Sequence, residues 1–379
     1  MRPTVLEVDL DAIAHNLKVV TQLTNGLPVL AVVKANAYGH GLVPVSRTLL
    51  AAGAAFLGVA TVSEGQALRQ AGIDAPVLLL GGYLPEEADD IARSRLTATL
   101  FTTRQLASLA RAAEVAGVRM PVHVKVDTGM GRIGFSPGEA AALLKKALDT
   151  PQLEVEGVFT HFAEADLADS PAAEQQLARL AGVRQVLGAD GERIPHWHVA
   201  NSAAVMREIM GGGDVGATLC RPGIMLYGEP PSANFKSSVA LSPVATWKAR
   251  VIQIKDVPAG TRISYGGTFV TTRPSRIATL PVGYADGFRR QLSNRGEVLI
   301  RGQRVPVVGR VCMDMTLVDV TDLPQAFGDD LSEGEEAVLI GRQGNEVISA
   351  TEMGAASDTI SYDILCGISE RVPRRYLEK

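Results

Sequence analysis

The sequence predicts an α/β protein, with an N-terminal (β/α)8 TIM-type barrel over residues 1–240 and a mostly β domain over residues 241–379. Three observations predict this architecture. A chain of 379 residues exceeds one ordinary core, so two domains are expected. Short apolar runs alternate with longer amphipathic stretches through the first two thirds. After about residue 240, short β-like runs separated by turn signals replace that alternation.

Eight apolar runs in the first two thirds are each followed by a stretch with helical spacing, and eight is the strand count of a closed barrel. The runs are residues 29–33, 56–60, 76–80, 97–100, 122–126, 155–159, 197–200 and 216–220. Residues 103–117 illustrate the helices, because Leu106, Leu109 and Ala110 recur at helical spacing before Gly117. An open doubly wound sheet is the competing architecture, since periodicity alone does not exclude it.

The last third has the composition of a β domain. Its runs include "VATWKARVIQI", "EVLIRGQRVPVVGRVCMD" and "EAVLIGRQGNEV", and only residues 349–369 favour helix. Residues 230–238, "PPSANFKSS", are predicted to form a linker or surface loop leading into this domain.

Bulk composition narrows the class of protein. The chain is 46% hydrophobic and 21% charged, as expected for a soluble globular protein. A net charge of −4 gives no electrostatic reason to expect binding to nucleic acid or an anionic membrane. No apolar run is long enough to span a bilayer, and the N-terminus lacks the apolar segment of a signal peptide. Three scattered cysteines argue against a disulfide framework, so we expect a cytoplasmic protein.

Polar side chains follow several of the predicted strands. Lys34 comes just after the first, Arg132 after the fifth and His161 after the sixth; Asn201 and Ser202 follow the seventh and Arg221 the eighth. The carboxyl ends of barrel strands meet at the face that carries the chemistry in barrel enzymes. We therefore expect these side chains to converge. Taken alone, Lys34 is also compatible with a surface lysine and His161 with a satisfied histidine inside the barrel.

The fifth strand, "VHVKVD", raises a second question. Val122, Val124 and Val126 share one face and suit the helix layer, so Lys125 on the other face is expected to point into the barrel. A buried lysine needs a partner or a lowered pKa. An internal ion pair with Asp127 or a nearby glutamate is the alternative to a functional role.

These residue types together suit one cofactor. A partly desolvated lysine such as Lys34 is a nucleophile able to form a Schiff base. Ser202 and the amides of "RPGI" (221–224) offer donors to a phosphate. Arg221 lies next to them and could face a pyridine nitrogen, which is a known way to tune pyridoxal 5'-phosphate. No spacing of carboxylates or cysteines near the histidines suggests a metal.

The segment "AVVKANAYGHG" (31–41) resembles the cofactor-attachment motif of alanine racemases. The resemblance continues through "KVDTGMGRIGF", "THFAEAD", "ANSAA", "RPGIMLYG", "SYGGTF", "VGYADGFRR", "GRVCMDM" and "SYDIL". A lone "VKAN" would also fit related decarboxylases, but the ordered matches cover both domains. The resemblance implies a barrel plus β domain in a head-to-tail homodimer with shared active sites. It also implies that the first ten or so residues pair with the C-terminal domain.

The resemblance also implies roles for individual residues. Lys34 looks like the Schiff-base lysine and one catalytic base, and Tyr265 resembles the second base, supplied by the partner subunit. The residues resembling the phosphate-binding set are Tyr38, Ser202, Gly223, Ile224 and Tyr362. Arg221 resembles the partner of the pyridine nitrogen, and His161 the histidine that packs on the ring. Arg132 and Met313 resemble substrate-carboxylate residues, Met313 from across the dimer. The supporting residues it implies are Lys125, Asn201, Arg290 and Asp314, with Lys125 a candidate for carbamylation.

The implied reaction is the interconversion of L-alanine and D-alanine by two-base proton transfer on an external aldimine of pyridoxal phosphate, which would supply D-alanine for peptidoglycan. Two fixed bases on opposite faces are the economical way to remove a proton from one side and return it to the other. The alternatives are a racemase of broader specificity, a decarboxylase of the same fold and a non-catalytic cofactor carrier. The β domain argues against the carrier, and a tyrosine in the "SYGGTF" setting argues against the decarboxylase.

Overall fold

The computed structural model describes residues 2–211, 213, 215–323 and 331–378. Strand β1 (Thr4–Asp9) precedes seven parallel strands, which form the groups β2-β3-β4 and β5-β6-β7-β8. These strands are β2 (Leu30–Val32), β3 (Phe56–Val59), β4 (Val77–Leu79), β5 (Ala98–Leu100), β6 (Met120–Lys125), β7 (Leu153–Phe159) and β8 (His196–His198). β2, β4 and β5 are buried along their whole length, as expected for parallel strands covered on both faces.

Hydrogen bonds join the two groups into a ring. Leu78 forms a parallel bridge with Thr97, which connects β4 to β5. On the other side, the Thr218 amide donates to the Trp197 carbonyl at 2.9 Å and the Leu30 amide donates to the Cys220 carbonyl at 2.9 Å. Residues 216–220, expected as the eighth strand, do not form a regular strand, since Gly216 is left-handed (φ 58°) and few ladder bonds follow. This segment nevertheless occupies the eighth position of the barrel.

Helices pack around the barrel between successive strands. Their bounds are Leu10–Leu23, Leu42–Ala51, Val62–Gln70, Ala88–Arg93, Thr103–Ala116, Pro137–Leu148, Ala172–Leu187, Ala189–Glu192 and Ser202–Met206. Helix Thr103–Ala116 buries Leu106 and Leu109 and ends at Gly117 in the left-handed conformation, as its spacing predicts. Within the described ranges, no helix combines the length and apolar character needed to cross a membrane.

The C-terminal part is dominated by antiparallel β structure. Its strands are β9 (Ala245–Arg250), β10 (Gln253–Val257), β11 (Arg262–Ile263), β12 (Phe269–Val270), β13 (Ser275–Leu280), β14 (Glu297–Ile300), β15 (Gln303–Pro306), β16 (Thr316–Asp319), β17 (Glu336–Gln343), β18 (Glu346–Ile348) and β19 (Arg374–Leu377). The largest sheet has the order β15-β14-β17-β9-β1-β19, so the first strand of the chain lies inside it. Helices Ala350–Ala356 and Ser361–Gly367 lie between β18 and β19 along the chain.

Polar side chains tie the barrel to the β structure. Asn16, fully buried in the first helix, donates to the carbonyls of Leu226 (3.1 Å) and Ser242 (2.8 Å) and accepts from the Ser242 amide (2.8 Å). Arg374 of β19 donates from Nε to the carbonyl of Gly39 at 2.9 Å. Gly39 follows shortly after Lys34 in the sequence. Trp247 is fully buried in the same apolar core as the barrel strands. Strand β19 thus contacts the segment that follows Lys34.

Candidate active site

The carboxyl ends of the barrel strands surround a cavity of about 690 Å³. The residues expected at this face line it together: Lys34, Tyr38, Lys125, Arg132, His161, Asn201, Ser202, Arg221, Gly223, Ile224 and Tyr362. Asp166 lines it as well. Helix Ser361–Gly367 of the C-terminal part adds Tyr362, and the barrel brings the others to one mouth from five strand ends, as the positions of the apolar runs predict.

Lys34 lies two residues after β2, at the edge of the cavity. Burial and, next, the positive charge of Arg132 lower the pKa of its amine; the charges of Cys366 and Glu64 act in the opposite direction. Among the described residues, no carboxylate forms an ion pair with its Nζ. A lysine in this setting exposes a larger fraction of neutral, nucleophilic amine near neutral pH than a surface lysine does.

The backbone after Lys34 takes an unusual conformation. Ala35, Asn36, Ala37 and Tyr38 all lie in the left-handed region, with φ between 51° and 54°. Each such non-glycine residue costs about 1–2 kcal/mol, so surrounding bonds must hold the turn. The Ala37 amide donates to Val33 O at 2.8 Å. The turn delivers the Tyr38 ring to the cavity, where its centroid lies 5.9 Å from that of Tyr362.

Ser202 and Gly223 form a donor-rich corner of the cavity. The Ser202 Oγ accepts from the amides of Gly223 (2.8 Å) and Met225 (3.4 Å), which leaves its O–H free to donate into the cavity. A Cβ on residue 223 would clash with the Tyr38 hydroxyl, so glycine is required for this close approach. Asn201 accepts from the Ala204 amide at 3.0 Å and caps the short helix that begins at Ser202. This corner suits a phosphate group.

Arg221 is buried, with 4% of its surface exposed, and has no carboxylate partner among the described residues. Its guanidinium donates to the carbonyls of Thr160 (2.6 Å) and Val199 (3.2 Å) and to His198 Nδ1 (2.9 Å). Burial lowers the pKa of Arg221 to about 9, so it remains mostly cationic near neutral pH. His198 must therefore donate from Nε2 to His123 Nδ1, 2.8 Å away. His198, supported by His123, thus helps to hold the guanidinium of a cavity-lining residue.

Lys125 points into the barrel, where its Nζ lies 4.6 Å from the centroid of the Phe159 ring. Burial, followed by the charges of Arg221 and Arg132, lowers its pKa to about 7. The alternative ion pair with Asp127 is not formed. The Asp127 carboxylate instead accepts the amide of Arg132 at 3.1 Å and shapes the loop that carries that residue.

The electrostatics of the cavity favour an anionic ligand. Four basic side chains line it (Lys34, Lys125, Arg132 and Arg221), whereas Asp166 is the carboxylate that lines it. Burial, followed by the nearby cations, also keeps the pKa of His161 well below its usual value, so its imidazole is neutral. An amine with a lowered pKa, a free hydroxyl donor beside glycine, and surplus positive charge match the aldehyde and phosphate of pyridoxal phosphate.

The remaining expected site residues lie elsewhere on the same chain. Tyr265, Met313 and Asp314 line a second cavity, of about 740 Å³, in the C-terminal part. Tyr265 is 68% exposed and Met313 52% exposed. Asp314 accepts from Arg371 Nη2 at 2.6 Å, and Arg290 lies exposed in a short 3-10 turn. None of these four lines the Lys34 cavity.

Comparison with known families follows the two-part architecture. A family model described as the alanine racemase N-terminal domain matches residues 8–231, and one described as the alanine racemase C-terminal domain matches residues 244–376. An alanine racemase from Halothermothrix orenii is 46% identical over 379 residues, covering 100% of this chain and 98% of the relative. One from Symbiobacterium thermophilum is 48% identical over 377 residues, covering 99% and 97%.

Solved structures show the same similarity. The crystal structure of an alanine racemase from Bacillus anthracis with bound L-Ala-P has a TM-score of 0.90 and 38% identity, covering 100% of this chain and 96% of that one. An alanine racemase from E. faecalis has a TM-score of 0.90 and 35% identity, covering 99% and 98%.

Proposed function

The chain belongs to the alanine racemase family, and from that premise we propose how its own residues interconvert L-alanine and D-alanine. The family is one of pyridoxal-phosphate-dependent isomerases, and the product D-alanine would serve peptidoglycan synthesis. The observation that carries the proposal is that Lys34, whose amine has a lowered pKa, lines a cationic cavity rich in hydrogen-bond donors.

Residues of the Lys34 cavity would hold the cofactor. Ser202, the amides near Gly223 and Ile224, and the hydroxyls of Tyr38 and Tyr362 are the candidates to bind its phosphate. Lys34 would bind its aldehyde carbon, and His161 would pack on its ring. When bound, pyridoxal phosphate delocalises the charge that remains after an α-proton leaves an amino acid.

Arg221 would set the electronic character of the cofactor. It carries only hydrogen-bond donors and retains its own proton, so a ring nitrogen that it faces stays largely unprotonated. Its bonds to Thr160, Val199 and His198 fix the guanidinium before any ligand binds. Arg132, and Met313 of the second subunit, would orient the substrate carboxylate; a carbamylated Lys125 would orient Arg132.

Racemisation requires proton transfer on both faces of the α carbon. Lys34 would take or give the proton on one face, and Tyr265 would do so on the other. Since Tyr265 and Met313 do not line the Lys34 cavity of their own chain, a second copy must supply them. A head-to-tail homodimer with two shared sites meets this need. Near neutral pH a phenol is a weak base, so His161 and Arg290 would polarise Tyr265.

Chiral analysis of the products tests this function. Purified protein loaded with pyridoxal phosphate should convert L-alanine towards an equal mixture of enantiomers. The Lys34→Ala variant should lose at least about 10²-fold of that rate. Parallel incubations with L-serine and L-lysine distinguish a broader racemase from a decarboxylase. An amine formed from L-lysine, with no D-alanine formed from L-alanine, would overturn the proposal.

A further inference from the structure

The carboxylate of Glu64 binds the backbone immediately after Lys34. Its Oε1 accepts from the Ala35 amide at 2.6 Å, across 29 residues of sequence. Its Oε2 accepts from the amides of Ala60 (2.8 Å) and Thr61 (3.4 Å), just past the end of β3. One side chain therefore connects the carboxyl ends of two adjacent barrel strands at the edge of the cavity.

Two other helices of the barrel show what ordinary capping requires. Glu64 is the third residue of its helix and forms a capping box with Thr61. Gln105 occupies the same position after Thr102, and its single oxygen accepts from the amides of Phe101 and Thr102, both at 3.1 Å. Its amide nitrogen donates instead to a carbonyl. Because one acceptor oxygen is enough for the cap, the bond to Ala35 is additional.

That additional bond holds a strained segment. Ala35 is the first of the four left-handed residues that follow Lys34. On the other side of Lys34, the Val33 amide donates to the Gly58 carbonyl at 2.8 Å. Lys34 is thus fixed from both flanks, on one by the β3 backbone and on the other by Glu64. Ala35 is exposed, so losing its bond leaves no buried donor unsatisfied and should cost little stability.

We propose that Glu64 is a positioning residue for Lys34, acting through the amide of Ala35 to hold the lysine in the orientation that binds the cofactor aldehyde. The inference rests on the proposed function of Lys34. It assigns a specific chemical requirement to position 64, namely two acceptor oxygens, which a carboxylate supplies and a carboxamide does not.

The Glu64→Gln substitution separates positioning from capping. The single carboxamide oxygen can still accept from the amides of Ala60 and Thr61. Gln105 makes the same kind of cap with one oxygen at the equivalent position of its own helix. The carboxamide NH2 group would then face the Ala35 N–H. Both groups are hydrogen-bond donors, so the bond to Ala35 is lost. The substitution also removes a negative charge that raises the pKa of Lys34. Loss of that charge alone favours the neutral amine and tighter cofactor binding, which is opposite in direction to the effect of a displaced lysine.

The experiment compares wild type, Glu64→Gln and the matched cap variant Glu139→Gln, whose carboxylate accepts from Ser136 at another helix start. Two quantities are measured: the melting temperature of the cofactor-free protein, and the dissociation constant of pyridoxal phosphate by absorbance titration. We expect Glu64→Gln to weaken binding at least about fivefold with a melting temperature close to wild type. Glu139→Gln should change neither quantity appreciably.

If Glu64→Gln binds pyridoxal phosphate as tightly as wild type does, the inference is overturned and Glu64 is only a helix cap. A melting temperature lowered in proportion to the weaker binding would overturn the inference as well, because the loss would then be one of folding. Borohydride reduction of the loaded wild type, followed by peptide mapping, tests the premise separately. Reduction should leave the cofactor covalently attached to Lys34. If the attached cofactor is absent from the wild-type peptide that contains Lys34, the proposed function itself is overturned.

Discussion

At the scale of single residues, Lys125 is a cation in an environment that disfavours charge. It is 2% exposed, and its pKa is lowered to about 7 by burial and by the cations Arg221 and Arg132. A neutral amine at this pKa is the form that reacts with carbon dioxide, which agrees with the proposed carbamylation. The same burial carries an energetic cost that depends on pH.

Replacing Lys125 with methionine should remove a pH-dependent contribution to stability. Between pH 7 and 10.5 the unfolded chain binds a proton that the folded amine has released. Wild-type stability therefore rises with pH in this window, by up to about 1.4 kcal/mol per pH unit. The contribution is lost progressively as pH falls from 10.5 through the folded pKa of about 7. Urea unfolding of cofactor-free protein in carbon-dioxide-free buffer measures the slope. The exposed Lys18→Met is the control; an unchanged slope in Lys125→Met would contradict the assignment.

Residue types at strand ends could be predicted from sequence, whereas the backbone that aims them could not. The apolar runs before Arg132, His161 and Arg221 predict their common position, because parallel strands bring their carboxyl ends to one face. The left-handed turn at Ala35 and Asn36 contains no glycine that would signal it. Its conformation depends on contacts with distant residues such as Glu64, which local sequence does not encode.

At the scale of elements, Glu229 joins the end of the barrel to a C-terminal helix. It is buried, and its carboxylate accepts from the amides of Ala350 (3.2 Å) and Thr351 (3.1 Å) and from the Thr351 hydroxyl. Burial raises the pKa of this carboxyl, while the three bonds partly offset the shift. The carboxylate also lies at the positive end of helix Ala350–Ala356, where negative charge is stabilising.

Glu229→Ala should destabilise the fold by about 2–4 kcal/mol, because it leaves buried amide and hydroxyl donors without an acceptor. Glu229→Gln retains one acceptor and should lose less. Urea unfolding at neutral pH measures both, with the exposed Glu114→Ala as a control expected to stay within about 0.5 kcal/mol of wild type. Equal stability of Glu229→Ala and wild type would show that water replaces the carboxylate.

Helices and strands with a regular hydrophobic pattern could be predicted from sequence. Segments held in place by only a few hydrogen bonds could not. The apolar run at 216–220 was expected as a strand of its own, yet only scattered bonds such as Val29 to Cys220 complete the ring there. In the β structure, alternation predicts strands but not that β1, from the opposite end of the chain, pairs with β9 and β19. Long-range pairing leaves no signal in a local pattern.

At the scale of the whole molecule, two groups of candidate residues lie in separate cavities of one chain. Tyr265 and Met313 are more than half exposed, next to Met315 at 46% and Cys312 at the same cavity. Apolar and aromatic side chains gathered on a surface are typical of a contact with another protein molecule. Sequence periodicity reports burial within one chain, so only the family resemblance implies that Tyr265 reaches the site of a second copy.

Complementation between two inactive variants tests whether a second copy completes the site. Lys34→Ala lacks one proposed base and Tyr265→Phe lacks the other, so each alone should be nearly inactive. In a head-to-tail dimer, a mixed pair contains one site with both bases intact and one with neither. Equal amounts, unfolded and refolded together, should give about half mixed dimers and therefore about a quarter of wild-type racemase activity. The same variants refolded separately and then assayed together are the control, since they can mix only by subunit exchange. Co-refolded protein that forms dimers yet stays inactive would mean that Lys34 and Tyr265 never meet across subunits, because random pairing must otherwise restore one site in four.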